Sequence, residues 1–215
     1  MLANTDYFSL PQVSNSDLSW LKGQIQAIDS LGGNKDAAYR FGTLLDAIIT
    51  EPERINFTKR TIDGEPIDLD EFNKALRMRD SFLRDPFCMN LLKSSVPQKI
   101  VIKDVDLEFQ GQKFTLPMRC KWDFFIDPMK LGADLKSTTA TSEDQFRSAI
   151  QMFDYPRQMA VYMTISGIDS IALVGVSKVN YKIFKVFIKR GDDLFQRGMA
   201  SFTELAYKYY LMFYL

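Results

Sequence analysis

Residues 119–139 read RCKWDFFIDPMKLGADLKSTT, and this stretch decides the fold. The segments Met118 to Ile126 and Leu131 to Ser137 are rich in aromatic and aliphatic residues, the composition of strands. Between them lies Asp127-Pro128-Met129-Lys130, with Asp at the first position of a turn and Pro at the second, where a fixed φ is wanted. With Pro128 and Met129 as the loop of a hairpin, Asp127 lies opposite Lys130, Phe125 opposite Gly132, and Asp123 opposite Asp134. Residues directly opposite share a face of the sheet, with Cβ atoms roughly 4.5–5.5 Å apart. Lys136 falls on the face of Asp134, and Leu135 points away. Two carboxylates and one ammonium are expected to converge on one small patch.

Facing aspartates repel and call for a compensating cation. A divalent metal supplies one, and hard oxygen ligands with room for water and a substrate phosphate suit Mg²⁺, with Mn²⁺ as the alternative. Lys136 could then orient or deprotonate an attacking water, or stabilise charge on a phosphate. The plainer reading is a surface hairpin with ordinary salt bridges. Arg119 and Lys121 alternate with Asp123, so all three share its face unless a bulge intervenes; there they balance the carboxylates or hold a DNA phosphate.

Asp123 followed by Asp134-Leu135-Lys136 resembles the D…(D/E)-x-K core of the PD-(D/E)xK nuclease superfamily. Ser137-Thr138-Thr139, Phe146, Tyr155, Gln158 and Tyr162 resemble its RecB-like branch. The run Asp134-Leu135-Lys136-Ser137-Thr138 … Tyr155-Pro156-Arg157-Gln158-Met159-Ala160-Val161-Tyr162 is similar to the RecE-type exonuclease VIII group and related phage exonucleases. The resemblance implies Mg²⁺-dependent hydrolysis of DNA phosphodiesters, as resection of duplex ends in recombination. Asp123, Asp134 and the Leu135 carbonyl would hold the metal with help from Asp46, while Lys136 acts on the water. Gln158 and Tyr162, at i and i+4 on one helix face, would bind a DNA phosphate or place a metal-bound water. Thr138 would contact DNA. A ring-shaped homo-oligomer and a single-strand annealing partner are likewise implied.

Two positions depart from the family pattern. Phe41-Gly42-Thr43-Leu44-Leu45-Asp46 resembles its F-G-T-x-x-H element, with Asp46 where His is usual. Gln98 stands where a Glu is often found near the start of a strand. A catalytically silent DNA-binding or scaffold module is therefore one alternative, and an endonuclease with the same core is another.

Composition bounds the remaining choices. The 215 residues are 46% hydrophobic and 25% charged with zero formal net charge, an ordinary globular chain with no global attraction to nucleic acid. The absence of histidine removes Ser-His-Asp and Cys-His catalysis and histidine-ligated zinc chemistry. Two cysteines, Cys88 and Cys120, cannot ligate a four-cysteine iron–sulfur cluster within one chain. No long apolar run or leader pattern is present, so a cytoplasmic protein without membrane partners is expected.

In chain order, an irregular lead-in precedes a helix from about Asp17 to Ser30, a break at Gly32-Gly33-Asn34, and a helix from about Asp36 to Thr50. A loop reaches Pro66; helices follow over Asp68 to Leu83 and Pro86 to Ser94. From Gln98 the period becomes that of strands: Ile100–Ile102, Val105–Phe109 and Phe114–Ile126, then the hairpin. Helices over about Ser142–Phe153 and Pro156–Ser166, strands over Ser170–Val179 and Tyr181–Ile188, and a helix over Asp192–Tyr214 close the chain. The expected class is α/β, a single domain over 1–215: a central mixed sheet flanked by helices, restriction-endonuclease-like, with a mainly helical part over 1–97 and a sheet-centred core over 98–215. Seven basic against three acidic residues from Ser170 onward offer a solvated face or a DNA track.

Overall fold

The computed structural model of the protein describes residues 4–26, 35–127 and 130–215. The expected turn residues Pro128 and Met129, the break at 32–34 and the helix end near residue 30 lie outside them. The described elements run α1 (Asn4–Ser9), α2 (Asn15–Gln26), α3 (Lys35–Thr50), β1 (Ile55–Asn56), β2 (Thr61–Ile62), β3 (Glu65–Pro66), α4 (Leu69–Arg84), α5 (Pro86–Ser94), β4 (Val96–Phe109), β5 (Gln112–Ile126), β6 (Leu131–Thr138), α6 (Glu143–Met152), α7 (Tyr155–Ser166), β7 (Ser170–Ser177), β8 (Ile183–Lys189) and α8 (Asp193–Phe213).

Two expectations are corrected. The lead-in holds a short helix, α1, and the loop before α4 contains a small antiparallel sheet, β1-β2-β3. That sheet turns through the left-handed residues Arg60 and Asp63, and Arg54 pins it by pairing with Glu51 at 2.8 Å and Asp63 at 2.6 Å. Short strands held by local turns and one arginine leave little hydrophobic periodicity to read.

The main sheet has the order β4-β5-β6-β7-β8; β6 and β7 are parallel and the other neighbours antiparallel, so it is the mixed sheet expected. The parallel pair needs a crossover, which α6 and α7 supply. Each face buries its own core. Leu116, Met118, Trp122, Phe125, Leu173 and Ile188 pack under α2, α6, α7 and α8, while Phe124, Ala133, Leu135 and Val174 pack against α3, α4 and α5. On the first face Gly132 lies beneath Trp122, where an added Cβ would sit 2.1 Å from the ring.

Register around the hairpin places the site. Phe125 faces Gly132 as expected, but the β5–β6 ladder spans only Phe124–Ile126 against Leu131–Ala133. Upstream, the arm before α2 takes the vacated edge of β5: Val13 N–H donates to Pro117 O at 2.8 Å and Arg119 N–H to Val13 O at 2.9 Å. Strand β5 also changes phase. Trp122 and Phe125 enter one core, and Phe124 and Ile126 the other. A spacing of three where alternation requires two puts an irregularity at Asp123. Opposite it, Gln98 drops out of the β4–β5 ladder between Pro97↔Phe124 and Lys99↔Trp122, with φ of 53°.

One ion pair ties the helical layer to β8. The Asp85 carboxylate accepts the Cys88 N–H at 3.1 Å as the N-cap of α5, and pairs with Lys185 of β8 at 2.8 Å. Its acidity is a balance: burial pushes the pKa up, but the Lys185 ammonium and the Cys88 N–H outweigh this and leave it below the usual value. A depressed pKa stabilises the fold above the unfolded carboxylate range, and that contribution disappears as pH falls through the folded pKa. Asp85→Ala is expected to cost about 1–2 kcal/mol at pH 7 by urea denaturation. The difference from wild type should shrink as the pH drops through the carboxylate range.

Candidate active site

Where the β5–β6 ladder ends, the two strands part and charged side chains fill the opening. Asp134 is buried, and its Oδ2 lies 2.7 Å from Lys136 Nζ, two positions along the same strand. That distance is an ion pair, but Oδ2 has no partner with hydrogen-bond geometry. Gln158 of α7 bridges the two charges. Its Nε2 donates to Asp134 Oδ1 at 2.9 Å, and its Oε1 accepts from Lys136 Nζ at 3.0 Å. The amide can face only this way, with its NH₂ toward the carboxylate and its oxygen toward the ammonium. Lys136 Nζ also lies 4.7 Å from the centroid of the Tyr155 ring. Burial disfavours the charge on Lys136, but Asp134, Tyr155 and Asp123 overcome this and raise its pKa, so it is an ammonium at neutral pH.

Asp123 does not take the expected laddered position opposite Asp134. Its Oδ2 instead accepts the Leu135 N–H at 2.7 Å, replacing a backbone bond where two like charges would have met directly. A residue's N–H and C=O point to the same neighbouring strand, so the Leu135 carbonyl also faces this opening, while its side chain lies in the opposite core. Burial raises the Asp123 pKa well above its ordinary value, and the charges of Asp46 and then Asp134 add to the effect.

Asp46 reaches the cluster from α3. Its Oδ1 accepts from Thr50 Oγ1 at 3.1 Å and its Oδ2 from Gln98 Nε2 at 2.9 Å. Burial pushes its pKa up to about 6, against the Thr50 hydroxyl, the Lys121 charge and the Gln98 amide. Gln98 donates to Thr50 Oγ1 as well, at 2.9 Å, and leaves its own Oε1 buried without a hydrogen bond. In sequence Gln98 is a departure from a pattern, and in the structure it is part of the site. The signal that could have revealed it is the position itself, a polar residue directly across β4–β5 from Asp123.

Three of the expected DNA contacts make protein contacts in the structure. Arg119 is buried, donates to the carbonyls of Leu10 and Gln12, and stands 5.1 Å from the Tyr7 ring centroid, so it anchors the N-terminal arm. Thr138 is buried with its hydroxyl accepting the Ala140 N–H at 3.1 Å, closing the turn after β6. Tyr162 packs edge-on against Trp122, ring centroids 5.1 Å apart, beside Gln158. Lys121 has its Nζ 5.8 Å from the Tyr7 ring, where its charge is felt by Asp46.

The donors fit a hard divalent cation. A buried Asp134 and a half-buried Asp123 that repel one another, an Asp134 oxygen and a Gln98 oxygen without hydrogen bonds, and a backbone carbonyl at the same opening form an all-oxygen set. Among the described residues, no three acidic side chains approach closely enough to chelate an ion by themselves. The acidic side chains at the opening are Asp123 and Asp134, with Asp46 reaching it from α3.

A mixed sheet whose central hairpin carries Asp123 and Asp134-Leu135-Lys136 at the parting of its strands defines a PD-(D/E)xK-type fold. The chain belongs to the family described as a PDDEXK-like domain of unknown function (DUF3799), whose profile matches residues 15–210. Among solved structures it is similar to a phage-related exonuclease from Haemophilus somnus 129PT, with 14% identity and a TM-score of 0.45 over 98% of this chain and 87% of that one. LHK-Exo, solved in complex with dAMP, is similar at 11% identity and a TM-score of 0.40 over 93% and 82% of the two chains. SSO0001 gives 13% and 0.40, with the match covering 67% of this chain and 60% of that one. These are distant likenesses of fold. No curated protein matches the chain.

The charge balance makes a direct prediction. After treatment with EDTA, Asp123→Asn removes a buried repulsion while keeping an acceptor for the Leu135 N–H, so its Tm should exceed that of wild type, by about 2–4 °C for each kcal/mol relieved. Adding Mn²⁺ should raise the wild-type Tm and leave Asp123→Asn unmoved. Equal Mn²⁺ shifts for both proteins in a thermal scan would show that the ion binds elsewhere.

Proposed function

We propose that the protein is a metal-dependent deoxyribonuclease of the PD-(D/E)xK type, a RecE-like exonuclease acting on duplex DNA ends in phage or prophage recombination. The observation that carries this reading is the Asp134–Lys136–Gln158 triangle, with Asp123 beside it, at the mouth of the parted hairpin. Membership of the PDDEXK-like family supports it, as does the match of the sequence run from Asp134 to Tyr162 to the RecE-type pattern.

In this reading Asp123, Asp134 and the Leu135 carbonyl hold Mg²⁺ or Mn²⁺, and Asp46 assists through water. The ion would supply a water of lowered pKa and charge neutralisation at the phosphate. Lys136 orients the nucleophile and stabilises the charge that builds on the phosphate. Gln158 fixes the Asp134 and Lys136 side chains relative to each other, so neither reorganises as the reaction proceeds. Lys121 contributes positive charge toward the Asp46 side. Oligomerisation into a ring, a single-strand annealing partner and a cytoplasmic location complete the proposal. No described helix is long and apolar enough to cross a membrane.

Digestion of linear and of covalently closed circular duplex DNA with Mg²⁺ or Mn²⁺ tests it. Metal-dependent loss of the linear form alone is expected, reduced by about 10²-fold or more in Lys136→Ala. Cutting of the circle would indicate an endonuclease. If wild type cuts neither DNA with either metal, the reading of an active nuclease is refuted in favour of a silent module.

A further inference from the structure

The corner between α6 and α7 exposes two large apolar residues beside the candidate site. Met152 is 67% and Phe153 59% exposed. The Phe153 ring stacks on Tyr155, centroids 5.8 Å apart and planes inclined by 28°, and the Lys136 ammonium lies 4.7 Å from the Tyr155 centroid. A continuous path of two rings therefore leads from solvent to the lysine of the Asp134–Lys136–Gln158 triangle.

This corner is held rigidly. Asp154, between the two rings, adopts φ of 55°, a left-handed conformation costly for a residue with a Cβ. Its Oδ2 is gripped by Lys22 of α2 and by Arg157, each at 2.9 Å. Arg157 is itself buried and donates onward to Asn15 Oδ1 at 2.5 Å and Ser19 Oγ at 2.9 Å. Phe153 N–H and Asp154 N–H also close the end of α6, on Ala149 O at 3.0 Å and Gln151 O at 3.2 Å. A left-handed residue, a buried arginine and an interhelical ion pair together hold the backbone of this corner, with Phe153 exposed on it. Exposed aromatic rings next to a phosphodiester site are what unpaired bases stack on, whatever their sequence, because every base has a π-face.

We propose that Phe153, backed by Tyr155, is a stacking platform for an unpaired base at the DNA end, so that the enzyme takes ends whose terminal nucleotide is already out of the duplex. The proposal rests on the nuclease reading and deepens it: Phe153 is a positioning residue, placing the backbone of that nucleotide over Lys136. Met152 flanks the platform. Neither residue belongs to the sequence run shared with the exonuclease pattern, which begins again at Tyr155.

The test uses the full-length chain with a duplex carrying a short single-stranded end and 2-aminopurine as its terminal base. Ca²⁺ replaces Mg²⁺ to permit binding without turnover. Wild type should quench the fluorophore, and Phe153→Ala should lose the quenching and bind about tenfold more weakly. Phe153→Tyr should restore both. With an abasic terminal nucleotide the wild-type advantage over Phe153→Ala should disappear, a result that merely structural damage would not give. Equal quenching by wild type and Phe153→Ala, failure of Phe153→Tyr to restore it, or an undiminished difference on the abasic end would each overturn the platform and leave the nuclease reading intact. Absence of DNA binding by wild type would overturn both.

Discussion

Like-charged carboxylates crowded at one point of a sheet are the constraint on which the rest of the structure depends. Asp134 and Asp123 come from neighbouring strands and cannot sit in register without facing each other directly. The chain resolves this by ending the β5–β6 ladder at Phe124↔Ala133, changing the phase of β5 at Asp123 and turning that carboxylate onto the Leu135 N–H. Each step leaves a backbone consequence elsewhere. The unpaired edge of β5 is covered by the arm at Val13, and Gln98 across the strand leaves the β4–β5 ladder with a left-handed φ. Lys136 and Gln158 neutralise and orient Asp134, but one of its oxygens still lacks a hydrogen bond. Among the described residues that oxygen is held by the Lys136 ammonium alone, at 2.7 Å.

Asp46 and Gln98 acquire a joint meaning. Taken singly in the sequence, each looks like the loss of a functional group. In the structure they are bonded to each other at 2.9 Å, with Thr50 joining both. The helix thus carries a carboxylate and the strand opposite it a neutral amide, joined directly and through one hydroxyl.

The hairpin and its acids were legible because a turn with Asp and Pro at fixed places, flanked by strand-forming residues, sets a register, and Phe125 does face Gly132. The helices were legible from their periodicity and caps, as at Asp68, whose carboxylate accepts two N–H groups at 3.0 Å each. What alternation could not convey was its own interruption. Arg119, Lys121 and Asp123 share parity in the sequence, yet the arm from Leu10 to Val13 takes the arginine, and the phase change separates Asp123 from the other two. The contact between Arg119 and the carbonyls of Leu10 and Gln12 joins segments more than a hundred residues apart, and no local pattern announces it. The small sheet of β1 to β3 escaped for the opposite reason, being made of two-residue strands too short to show a period.

The central claim is that Asp123, Asp134 and the Leu135 carbonyl form a divalent-metal site. The most direct measurement is anomalous diffraction from crystals of the protein soaked in Mn²⁺. One manganese peak within about 2.5 Å of oxygens from both aspartates and from the Leu135 carbonyl is the expected result. A fully soaked crystal whose only manganese lies elsewhere, or which shows none, with the Lys136–Asp134 pair unchanged, would contradict the claim and leave the parted hairpin as a structural salt bridge.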